Sequence, residues 1–131
     1  MARFIVREFE NRVLISLPSL IKRLPIPSPA LWVFRDVKLN GGPDKPFGFR
    51  VPEFESLTRE RPNGFAASQE SFDQFLKMDL QFLDGSIDVL AESPPHKPLL
   101  TIDCEDSTQW ELSSHSEDLT RKLDEAGFTR M

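Results

Sequence analysis

The chain has 131 residues, 39% hydrophobic and 28% charged, with a net charge of −5. That is ordinary globular usage: it excludes wholesale disorder and suffices for a single domain over 1–131 with a real core. No apolar run approaches the ~20 residues of a membrane helix, and Met1 to Glu8 lacks the apolar stretch of a secretory signal. The single cysteine, Cys104, excludes an intramolecular disulfide, so a cytosolic location is the expectation.

Residues 3–9 and 12–17 read as two strands of a hairpin around Glu10-Asn11, from their β-branched content and short polar break. Ser19 to Leu24 has room for one or two helical turns. Pro25, Pro27 and Pro29 then force an extended connection. Over 31–39, Leu31, Val33, Val37 and Leu39 fall on one face of an extended segment and Trp32 and Phe34 on the other, the pattern of a central strand. Asn40 to Asp44 marks a turn. Phe47 to Val51 reads as a short strand closed by Pro52, and 52–67 as a polar, irregular loop, long enough to be a functional one.

Ser71-x-x-Gln74 fits a capping box, with Ser68 as the alternative cap; Phe72, Phe75 and Leu76 line the core side of the helix it opens. Asp84-Gly85 between Leu80–Leu83 and Ser86–Leu90 predicts a two-residue hairpin. Leu100, Ile102 and Cys104 alternate inward, then Trp110 and Leu112 after a turn at Glu105 to Thr108. Ser114-His115-Ser116-Glu117 reads as a second capping box. Its helix carries Leu119, Leu123 and Ala126 on one stripe, stops at Gly127, and lets Phe128 fold back on Leu123. The architecture expected is α+β: a largely antiparallel sheet of about six strands with two short helices packed on one face.

Motifs that carry chemistry are missing. There is no Gly-rich phosphate loop, no Cys-x-x-Cys, no His-x-x-x-His and no nucleophile elbow, and no cofactor is expected. Cys104 alternates with core residues and reads as a buried, inert thiol. Lys45, Arg50, Arg59 and Arg61 interleave with Phe47, Phe49 and Phe65, a pattern that suits single-stranded nucleic acid. Glu53, Glu55 and Glu60 cancel that charge, so neither nucleic acid nor membrane is the expected partner.

What stands out is charge placement. Residues 79–131 carry 12 acids and 4 bases, while residues 1–78 carry 9 acids and 12 bases. Many of the acids mark helix ends and turns, where local structure accounts for them. Asp88, Asp103, Glu105, Asp106 and Glu111 converge if strands 79–91 and 99–113 are neighbours in one sheet. Such a patch suits a basic protein partner. The function expected is that of a small, non-enzymatic protein-binding protein, of the immunity or antitoxin type. It would neutralise a nuclease-like toxin by covering its basic active site. The alternatives are an interaction module of a larger complex, and an enzyme with a dispersed site near His115, Asp106 and Cys104.

Overall fold

The computed structural model describes residues Met1–Met131 and is α+β. Its strands are β1 (Ala2–Val6), β2 (Phe9–Glu10), β3 (Val13–Leu14), β4 (Ala30–Gly41), β5 (Phe65–Ala67), β6 (Leu80–Ala91), β7 (Pro98–Glu105), β8 (Gln109–Ser114) and β9 (Thr129–Arg130). Its helices are α1 (Leu17–Arg23), α2 (Val51–Glu60), α3 (Gln69–Phe75) and α4 (Glu117–Glu125). Seven strands form one sheet in the order β5-β4-β6-β7-β8-β1-β9, with every pairing antiparallel. β2 and β3 form a separate ribbon, joined through Asn11 and Arg12, both at positive φ. No helix is long and apolar enough to cross a membrane.

Register explains the core. Phe4, Leu112, Ile102, Ile87, Phe34 and Phe65 stand side by side across six strands. The first five of these are fully buried. Buried apolar residues of all four helices belong to one core cluster of 27 side chains. Burying a large apolar side chain stabilises by ~1.5–3 kcal/mol, so this row dominates the fold. Aromatic rings fill its β4 end: Trp32 stacks on Phe72 at 3.8 Å between centroids, and Phe34 meets Phe54 and Phe75 edge-on. Such pairs add to area burial.

Two strands depart from the sequence reading together. Residues 80–91 form one continuous strand rather than an Asp84-Gly85 hairpin, so the pairing of Leu83 with Ser86 does not occur. Gly85 has φ +125°, and a Cβ there would lie 2.7 Å from the Val37 Cα. The glycine allows two backbones to approach closely rather than making a turn. Opposite it, β4 is bulged between Arg35 and Lys38, with Asp36 at φ +50°. The bulge switches the strand's facing. Trp32 and Phe34 point into the core before it, Val37 and Leu39 after it. Leu31 and Val33 therefore do not share a face with Val37 and Leu39.

The expected hairpin of 3–9 with 12–17 shrinks to β2 and β3, because β1 pairs with β8 and β9 instead. The stretch 47–67 is a further correction. Pro46–Gly48 is a 3-10 turn rather than part of a strand, and α2 occupies most of the supposed loop. Pro52 sits in the first turn of α2, where its missing N–H costs nothing. Phe54 anchors the helix at 0% exposure, and Thr58 Oγ1 accepts from Val37 N at 3.1 Å, satisfying a bulged backbone group. Both predicted caps shift. Ser68, not Ser71, caps α3, and Ser116, not Ser114, caps α4, each accepting the N–H three residues on. Gly127 does stop α4 at φ +87°, and Phe128 N donates to Leu123 O.

Candidate interaction surface

The helices pack on one face of the sheet, and the strand positions between the core residues form the other. Two rows of that open face follow from the register. One runs Ile5, Glu111, Asp103, Ser86, Arg35; the next runs Arg3, Ser113, Thr101, Asp88, Val33, Ala66. β6, β7 and β8 are adjacent, so Asp88, Asp103 and Glu111 lie on one surface.

These acids do not share one electrostatic state. Asp88 is 8% exposed and is bound on both oxygens. Arg35 pairs with Oδ2, and Thr101 Oγ1 donates to Oδ1 at 2.8 Å. Glu111 takes Arg3 at 3.3 Å and the Gln109 side-chain amide at 2.7 Å, and Gln109 in turn accepts from Arg7 at 2.9 Å. Two of the five residues read as a patch are therefore neutralised by basic residues from the N-terminal half. Their pairing follows from sheet order and carried no local signal.

Asp103, Glu105 and Asp106 have no basic partner. Asp103 accepts from the Ser86 hydroxyl, and Glu105 and Asp106 are exposed at the β7–β8 turn. Asp84 belongs to the same corner: its carboxylate accepts from Asp106 N at 3.4 Å. None of these four acids forms a salt bridge. Asp106 and Ser107 are both at positive φ, and Ser107 N donates to Leu83 O at 2.9 Å, which ties the turn to β6. The turn is thus a fixed acidic corner at one end of the sheet.

Cys104 lies beneath that corner, 3% exposed, with Sγ 3.5 Å from Leu83 O. Burial pushes its thiol up to about 11, and the nearby Asp84 and Asp106 charges add to the shift. It is an inert core thiol, as its alternation indicates. His115 follows Ser114 at the opposite end of β8, about 16 Å along the strand from Trp110, the partner of Cys104. His115, Asp106 and Cys104 therefore do not meet.

The Phe residues of the basic middle region are committed elsewhere. Phe47 and Phe65 pack against Phe54 and against each other, and Arg50 pairs with Glu53. The chain matches no known family model, no curated protein and no solved structure.

Proposed function

We propose that this protein works by binding another protein, as an inhibitor of the immunity or antitoxin type, and that the acidic corner at the β7–β8 turn is the contact. The observation that carries this reading is the four carboxylates of Asp84, Asp103, Glu105 and Asp106, none in a salt bridge, on the ends of β6 and β7 and on a turn that backbone bonds tie to β6. A pre-fixed cluster of like charge accelerates encounter with a basic surface and loses little entropy on docking. On a nuclease-like toxin, the carboxylates would occupy positions that substrate phosphates take and exclude the substrate. Asp88 and Glu111 support the face through their arginines and make no direct contact.

The test is titration calorimetry against a panel of basic nuclease domains at low and high salt, alongside an assay of nuclease activity. The expected result is a 1:1 complex that weakens steeply with salt and silences the nuclease. The triple variant Asp103→Lys, Glu105→Lys, Asp106→Lys should abolish it while melting as the native chain does. Binding that survives the triple reversal, or no inhibition across the panel, overturns the reading.

A further inference from the structure

The two edges of the seven-stranded sheet are guarded differently. At one, β9 is two residues long, and its Arg130 is bound to Asp124. Charge and shortness keep a sheet edge from pairing with another chain. At the other, parts of β4 that β5 does not reach are sealed by side chains. Ala30 N donates to Gln69 Oε1 at 3.0 Å, Val37 N to Thr58 Oγ1 at 3.1 Å and Leu39 N to Glu55 Oε2 at 2.9 Å. β5 itself, Phe65-Ala66-Ala67, carries no charged residue. Backbone N–H groups alternate in direction along a strand. Ala30 N points toward Gln69 at the start of α3, so Trp32 and Phe34 point the same way, to their partners Ala67 and Phe65. Ala66, between those partners, therefore turns its N–H and C=O outward, and it is exposed.

An extended strand laid antiparallel against β5 meets those two groups. We propose that this strand is β5 of a second copy of the chain, paired across a two-fold axis at Ala66. The register is self-complementary: Ala66 N–H and C=O of each copy bond those of the other, and Phe65 of each lies opposite Ala67 of the other. Phe65 is half-buried, and Ala67 lines a cleft of about 430 Å³ with Phe47, Ser71, Phe75 and Met78. The pairing brings each Phe65 beside the other copy's cleft. Charge agrees with the same axis. The segment before β5 carries Arg59, Glu60 and Arg61, and the segment after it Glu70 and Asp73, all exposed. None of the five forms a salt bridge. Antiparallel pairing lays the net positive flank of one copy toward the negative flank of the other, twice. A three-residue edge falls short of the ~1,200–2,000 Å² of a stable interface, so the dimer is weak and forms at high concentration. β5 shares no residue with the acidic corner, so either proposal can fail alone.

Sedimentation velocity over a concentration series tests this. The native chain should pass from monomer to dimer as concentration rises. Ala66→Pro removes the outward N–H and leaves the pairing with β4 intact, so it should stay monomeric and melt as the native chain does. Ala66→Lys and Ala66→Glu should each stay monomeric, because the axis sets like charges against each other, and an equimolar mixture of the two should recover the dimer. A native chain that stays monomeric up to its solubility limit, a dimer that survives Ala66→Pro, or a mixture no more associated than its components overturns the proposal.

Discussion

Adjacent residues of the same strands build two unlike surfaces. On the covered face, Phe4, Leu112, Ile102, Ile87 and Phe34 exclude water altogether. One residue along, Ile5, Glu111, Asp103, Ser86 and Arg35 form a half-exposed polar row. The period-2 geometry of a strand makes both from one chain. The covered face draws stability from area and shape. The open face is held by specific pairs, each satisfied within the sheet, and no buried side-chain polar atom lacks a partner. The first face should therefore be sensitive to volume and the second to charge.

Truncating the covered face should have the largest effect. Phe34→Ala removes a ring in contact with Phe47, Phe54, Phe72 and Phe75. The expected loss is ~3–5 kcal/mol in urea unfolding. A loss below ~1 kcal/mol would mean the aromatic end is loosely packed. On the open face, Asp88→Ala should cost about 1–3 kcal/mol, because it leaves Thr101 and Arg35 without their acceptor. If Asp88→Ala costs as much as Phe34→Ala, the two faces do not differ in the way described.

The fold class was legible from alternation, and the final strand–strand–helix unit nearly residue by residue. Trp110, Leu112, Leu119, Leu123 and Phe128 are buried as their spacing indicates. Apart from the shifted helix caps, misreadings fall where the deciding contact is long-range. Asp84-Gly85 carries the local signature of a hairpin, and only the approach of Val37 from β4 shows that the glycine serves a bulge. The bulge also explains why β4 seemed apolar on two faces: its core face changes parity at Asp36. α2 was missed because only Phe54 and the polar Thr58 are fully buried along it, and the burial of Thr58 depends on a backbone amide of β4. The acidic residues were visible, but their neutralisation was not. Arg3 and Glu111 are 108 residues apart in sequence.

Cys104 extends the contrast to pH. Its thiol is raised from 9.0 to about 11 chiefly by burial. The folded chain therefore holds the proton more tightly than the unfolded one. The contribution is complete below pH ~9 and falls away as pH rises through about 11. Urea midpoints should drop across that window in the native chain and drop less in Cys104→Ala. At neutral pH the thiol should resist disulfide reagents until the chain unfolds. Rapid labelling of the native protein would show that the covered face opens. Ser116→Ala, which removes the cap of α4, should cost about 1 kcal/mol. The buried Ser114 acts differently: its hydroxyl donates to Ser116 O at 3.0 Å and braces the cap from behind.

The smallest effect belongs to the Arg3–Glu111 pair. Its atoms are 3.3 Å apart, with the arginine side chain 51% exposed and the glutamate 19%. Water screens such a pair, and holding two long side chains together costs rotamer freedom, so a double-mutant cycle with Arg3→Ala and Glu111→Ala should give a coupling of about 0.2–1 kcal/mol. That small value is what the proposed division of labour requires. A weakly coupled Arg3 answers the Glu111 charge without locking it, while the four acids of the corner form no salt bridge. A coupling well above ~1 kcal/mol would mean that Arg3 holds Glu111 rigidly and that this part of the open face is an ordered ion-pair network rather than a screened surface pair.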